Sequence, residues 1–244
     1  MADEKKFDYI EQNGQKFIHV STISTVDANT QFMQNVQLVG QQRQALIELD
    51  KHKKAALTDA EKNAADAKIK EISESLTKNN ELMAKTYGYS LTRNYLHQIV
   101  KTRIFLKLTD EEYSKAQGDE NVPADQILVK GDIKYRLIAE IPAADANTQF
   151  RQNVQLVQVQ RERLVKMTEA LKSMTDGDAK TKLEAEAKTA EETLVKNNEA
   201  MIKQYGFSLT RDYLMEVAES KLYTQVNEEE FLKAKAQSEA QAAE

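Results

Sequence analysis

A line written twice constrains the fold more than any other feature of this chain. DANTQFMQNVQLV occupies residues 27–39 and DANTQFRQNVQLV residues 145–157, with one letter changed. The same spacing carries KNNE (78–81) to KNNE (196–199), YGYSLTRNYL (87–96) to YGFSLTRDYL (205–214) and TDEEY (109–113) to NEEEF (227–231). Self-similarity at a fixed period means that one supersecondary unit is used more than once. The chain reads as a tandem duplication with units over 1–117 and 126–237. A linker over 118–125 contains Gly118, Pro123 and acidic residues, and a low-complexity tail over 238–244 is expected to fray.

Each copy opens with strand signals around a turn. In DYIEQ-NG-QKFIHVSTI (8–23), Asn13-Gly14 supplies the positive φ that a tight hairpin needs. The counterpart is QILV-KGD-IKYRLIAEI (126–141), whose connection reads as one residue longer. Helical period follows: Phe32, Val36, Val39, Leu46 and Leu49 recur every three to four residues, as do Phe150, Val154, Val157, Leu164 and Met167. Thr58 and Glu61 have the spacing of a capping box, which places a break at 56–58. A second helix carries Ile69, Ile72, Leu76, Met83 and Tyr87, and Gly88 reads as its stop. The expected form is a long antiparallel helical hairpin with arms of roughly 40–45 Å. SLTRNYLHQIV then suggests a short helix, RIFLKL (103–108) and KLYTQV (221–226) read as strands, and Thr109 and Asn227 cap a last short helix. The expected class is α+β, mainly α, with a β-β-α-α-α-β-α unit in which each helical hairpin is rooted in a small β-sheet head.

Composition agrees and narrows the function. Only 7 Gly and 2 Pro among 244 residues suit long helices, and 30% charged residues suit solvated ones. There is no Cys, no signal-type apolar stretch at the start and no run of membrane-span length, so the expectation is a cytoplasmic protein. Net charge is −5, distributed as +1 over residues 1–118 and −6 over 119–244, which gives no general attraction to nucleic acid or anionic lipid.

The repeated line suggests contact. From Ala28 to Gln42 no residue is charged, and the helix there carries Gln31, Gln34, Asn35, Gln37 and Gln41, matched by Gln149, Gln152, Asn153 and Gln155. Solvated helix faces ordinarily carry Lys and Glu. Amides can be covered by more protein without burying an ion. These residues are read as the arm bases, packed against the head, against each other or on a second molecule. The plainer alternative is that glutamine is a good helix former and simply faces water. The asparagines of KNNE are expected opposite Asn35, where an amide pair would hold the hairpin in register.

YG(Y/F)SLTR(N/D)YL offers a second candidate. Ser90, Thr92 and Arg93, with Ser208, Thr210 and Arg211, would suit an anion or ligand site at a helix start. The structural alternative pairs Arg93 with Glu81 or Asp27. Little else carries chemistry. His19, His52 and His97 map to Leu137, Ala170 and Met215, no metal-ligand spacing occurs, and no phosphate loop or nucleophile motif is present. The recurring acids Asp27/Asp145 and Glu81/Glu199 fit capping and ion pairing. No cofactor, metal, nucleic acid or membrane partner is expected. The leading expectation is a non-catalytic structural or protein-interaction protein, binding a protein partner or itself. The alternatives are a holdase-like chaperone gripping clients between arms and an enzyme or small-ligand protein with a site in the head.

Overall fold

The computed structural model describes residues 7–119 and 122–242. The protein is α+β. Among the described residues six strands in antiparallel ladders and six α-helices follow in the order β1 (Tyr9–Gln12), β2 (Gln15–Ile23), α1 (Val26–Ala55), α2 (Asp59–Tyr87), β3 (Tyr95–Leu108), α3 (Asp110–Gln117), β4 (Ile127–Lys130), β5 (Ile133–Ile141), α4 (Ala144–Ser173), α5 (Asp178–Tyr205), β6 (Tyr213–Val226) and α6 (Glu228–Ala242). A single 3₁₀ turn at Ala124–Gln126 leads into β4. The tail from 238 to 242 is helical, as part of α6.

Local signals account for most boundaries. Asn13 (φ 52°) and Gly14 (φ 72°) turn β1 into β2, and Gly131 (φ 58°) begins the turn from β4 to β5. Pairing of Gln12 with Gln15 and of Lys130 with Ile133 makes both connections two residues long. Lys130 therefore belongs to a strand, and the extra residue expected in the second turn is absent. The Thr25 hydroxyl accepts from Ala28 N at the start of α1, and Thr58 and Glu61 close a reciprocal capping box at the start of α2. Gly88 and Gly206 end α2 and α5 in the left-handed region.

One expected element is not there. Residues 90–99 form no helix: a turn at 91–92 is followed by a 14-residue strand from Tyr95. The hydroxyls that would have capped a helix bond each other instead, Ser90 Oγ to Thr92 Oγ1 at 2.9 Å. Downstream, Tyr95, Ile99, Val100, Thr102, Ile104 and Phe105 are aromatic or β-branched and favour a pleated, half-buried surface. The same holds for β6. The order in each half of the chain is thus β-β-α-α-β-α.

The chain divides into two compact units, one of residues 1–99 with 217–244 and one of 100–216. These cut across the stretches 1–117 and 126–237, because β3 and β6 each pass from one unit to the other. In the first unit β2 lies between β1 and the second part of β6, with Lys16 opposite Val226 and Ile23 opposite Ser220. Ile23, Phe32, Val39, Met83, Tyr87 and Leu222 form its core. In the second unit β5 lies between β4 and the second part of β3, with Lys134 opposite Leu108 and Ile141 opposite Thr102. Its core is Ile104, Ile141, Phe150, Val157, Met201, Tyr205 and Phe207. Leu222 and Ile104 are both 0% exposed, so each core has at its centre an aliphatic side chain from the opposite half of the chain.

Candidate functional site

The repeated line sits at the root of a helical hairpin in each unit, and its residues divide by burial. Asn29 (2% exposed) and Asn147 (1%) are interior. The Asn29 amide donates to the carbonyls of Ile23 and Thr25 at 2.9 and 2.8 Å, and its oxygen accepts from the Ser220 hydroxyl. Asn147 donates to Val100, Ile141 and Ala143 at 2.8, 3.0 and 2.9 Å. Each therefore ties the end of a hairpin strand to the first turn of the arm and to the strand arriving from the other half. Leaving such carbonyls without a donor costs about 1–3 kcal/mol. Phe32 and Phe150 fill the space behind, edge-on to Tyr87 and Tyr205.

The rest of the line faces outward. Gln31, Gln34, Gln37 and Gln41 are exposed and Asn35 is half-buried, while Gln149, Gln152 and Gln155 are exposed and Asn153 is half-buried. Gln31 bonds Asn35 along the helix at 3.1 Å. Among the described residues, then, the arm-base glutamines carry no packed layer over them, contrary to the expectation of packing against the head or against each other. Exposed apolar side chains flank the row: Met33 and Leu38 on α1, Leu156 and Val159 on α4. On α1 the face is uncharged from residue 28 to 42, part amide and part aliphatic, and about 22 Å long, whereas on α4 exposed Arg151 stands in the place of Met33.

An amide pair across each hairpin does exist, with different partners from those the sequence suggested. Asn79 donates to Gln42 at 3.0 Å, and Asn197 to Gln160 at 3.0 Å. Asn35 takes no part. Asn80 and Asn198 turn the other way and accept from the backbone N–H of Leu91 and Leu209, each at 2.9 Å. KNNE thereby pins both the helix register and the following loop.

That loop is the second candidate. Tyr95 and Tyr213 accept from Ser90 N and Ser208 N at 2.8 and 2.7 Å and donate to Gly88 O and Gly206 O. Ser208 Oγ and Thr210 Oγ1 pair at 2.9 Å, repeating the Ser90–Thr92 contact. Arg93 pairs with Glu230 at 2.9 Å, while Arg211 meets both oxygens of Glu112 at 2.9 Å and the Lys107 carbonyl at 3.1 Å. Neither Glu81 nor Asp27 is the partner of Arg93. Glu112 and Glu230 also receive the backbone N–H of Thr109 and Asn227 at the starts of α3 and α6. The Arg211 guanidinium, then the Thr109 N–H, holds the Glu112 carboxyl below the ordinary glutamate range. The Asn227 N–H, then Arg93, does so for Glu230. Each arginine is thus engaged by a carboxylate, in the arrangement of a loop-to-helix clamp.

A titratable group that sequence reasoning passed over lies beside β1. Asp8 takes Lys221 at 2.7 Å and the Tyr223 hydroxyl at 3.1 Å, and the His19 ring stands edge-on to Tyr223. Burial, with the Asp8 charge beside it, pushes the Tyr223 phenol up and away from ionisation. His19 itself bonds Thr22. The signal was available only as an Asp just outside a strand; its partners lie more than 200 residues away.

Among the described residues no group of three or more His, Asp or Glu could hold a metal ion, and no helix is long and apolar enough to cross a membrane. Compared with models of known protein families the chain matches none, and comparison with curated proteins and with solved structures gives no match either.

Proposed function

We propose that this is a non-catalytic interaction or scaffold protein, descended from a duplicated unit, whose two helical arms meet a protein partner or a second copy through the amide-rich faces at their bases. One observation carries this reading. Asp27, Thr30, Gln31, Gln34, Gln37 and Leu38 are exposed, and each has the identical residue, also exposed, 118 positions later. Of the exposed residues between 27 and 39, only Met33, matched by Arg151, differs. Further out the agreement is lost: Glu48, Asp50, Lys51 and His52 correspond in sequence to Lys166, Thr168, Glu169 and Ala170. Packing explains why Asn29, Phe32 and Val39 recur. It does not explain the outward-facing residues, since a solvated position tolerates most polar side chains within about 0.5 kcal/mol. A surface that must be met by the same chemistry twice explains both the retention and the predominance of amides.

The test places charge on the face while sparing the fold. Gln34→Glu, Gln37→Glu, Gln152→Glu and Gln155→Glu together should leave the helical circular dichroism unchanged. Self-association by sedimentation velocity, and recovery of bound protein from native extract, should fall by about tenfold or more, the equivalent of about 1.4 kcal/mol. A quadruple variant that associates and captures as the parent does would remove this reading.

A further inference from the structure

We infer that the two halves of the chain are complementary strand-exchange partners, so that the N-terminal half binds the C-terminal half non-covalently and with a set pairing, whether on the same chain or on a second copy. The geometry that carries this lies within each compact unit. The first unit consists of residues 7–99 closed by 217–242. That closing segment lays β6 along β2, drives Leu222 into the core and gives Ser220 to Asn29. It then docks α6 through Phe231 against Phe7 and Tyr9, Glu228 on Lys16 and Glu230 on Arg93. The second unit closes 122–216 with 100–119. There β3 runs along β5, Ile104 enters the core, and α3 docks through Asp110 on Lys134 and Glu112 on Arg211. Neither half retains its own closing strand.

The charges specify which strand closes which hairpin. Glu140 on β5 sits between Lys101 at 3.0 Å and Arg103 at 2.8 Å on β3. At the matching register β6 presents Glu219 and Lys221, so a β5 closed by β6 would keep a cation opposite Glu140 but put the Glu219 carboxylate in the place of the Lys101 ammonium beside it. Asp8 holds Lys221 and the Tyr223 hydroxyl. On β3 the matching residues are Arg103 and Phe105, and the phenolic donor is lost. A C-terminal half pairing with itself therefore places like charges together, and an N-terminal half pairing with itself forfeits a hydrogen bond to a carboxylate. A carboxylate in place of an ammonium beside Glu140, and a carboxylate at Asp8 short of one donor, both disfavour the wrong pairing. Exchange between halves is the matched arrangement, and two chains can make it reciprocally.

The experiment keeps the full chain and cuts one bond. A site-specific protease sequence inserted between residues 121 and 122 is cleaved in the folded protein. The two fragments are expected to stay together in native size-exclusion chromatography with unchanged circular dichroism, to separate in denaturant and to recombine on its removal. Glu140→Lys should lower recombination by about tenfold, and Glu140→Lys with Lys101→Glu and Arg103→Glu should recover it. Fragments that part under native conditions, each keeping its secondary structure, would overturn the exchange. Glu140→Lys recombining as the parent does would overturn the charge-set pairing. Mass measurement of the uncut chain refolded at rising concentration should show a growing dimer fraction, and a strictly monomeric product throughout would overturn the exchange between chains.

Discussion

Gly88 and Gly206 show what one residue decides here. Both end an arm helix in the left-handed region and both begin the aromatic loop, but their surroundings differ. A Cβ on Gly88 would overlap the Val20 Cγ1 methyl, and valine, branched at Cβ, has little rotamer freedom to move aside. A Cβ on Gly206 would meet the Ile138 Cδ1 methyl at 3.3 Å, the far end of a longer side chain. An alanine with positive φ costs about 1–2 kcal/mol at either site, and overpacking adds about 1–3 kcal/mol at Gly88 alone. Gly88→Ala should therefore destabilise clearly more than Gly206→Ala in denaturant titration, and equal losses would mean that Val20 relaxes. Asn29 and Asn147 make the complementary point. Inside a run of amides they look like surface residues, but they are the interior ties. Nothing in the run of amides marks them off from Gln31 or Gln34, because what buries them is the strand that brings Ser220 or Val100, and only the folded chain brings it near.

At the scale of elements, the helices α3 and α6 depend on the glutamates that begin them. Glu112 and Glu230 each satisfy a backbone N–H and an arginine, and each is held below the ordinary glutamate range by those partners. A depressed carboxyl contributes stability that is present above its unfolded value, about pH 4.3, and is lost as pH falls through its lower folded value. Melting temperature should fall on acidification through that window. Glu112→Gln with Glu230→Gln should melt lower than the parent at neutral pH and converge with it in acid, and parallel curves would contradict the role given to the pair. The elements themselves were largely legible in sequence wherever a local signal suffices: Asn13-Gly14 for the first hairpin, Thr58 with Glu61 for the arm tip, Gly88 for the helix stop, Thr109 and Asn227 for the last helices. The stretch from Ser90 was misleading because Ser, Thr and Arg after a glycine also describe a helix start. Its fate was decided by Asn80, 11 residues upstream, whose amide oxygen captures the Leu91 N–H, and by the long β-rich run beyond.

At the scale of the molecule, two hairpins of strand and helix are each completed by a strand from the opposite half of the chain. This was the least legible part of the fold. With an offset of 118 throughout, β2 meets similar apolar positions whether 102–108 or 220–226 lies beside it, and either pairing satisfies the same ladder of backbone bonds. Most letters of these strands differ between the copies, largely by exchange of one apolar or polar side chain for a similar one; the differences that bear on pairing are charged: Lys101 against Glu219, Glu140 against Thr22, Asp8 against Gln126. Periodicity is blind to them, and their weight appears only when the strands are side by side. The candidate contact faces depend on this arrangement as well, since Asn29 and Asn147 orient the arm roots through bonds to Ser220 and Val100. The pairing itself is open to direct measurement by cross-strand nuclear Overhauser effects in the isotope-labelled, uncut protein. Backbone contacts of Lys16 with Val226 and Ile23 with Ser220, together with Lys134 to Leu108 and Ile141 to Thr102, are the expected result. Contacts of Lys16 with Leu108 and Ile23 with Thr102 would instead show each half closing on its own strand and would contradict the account.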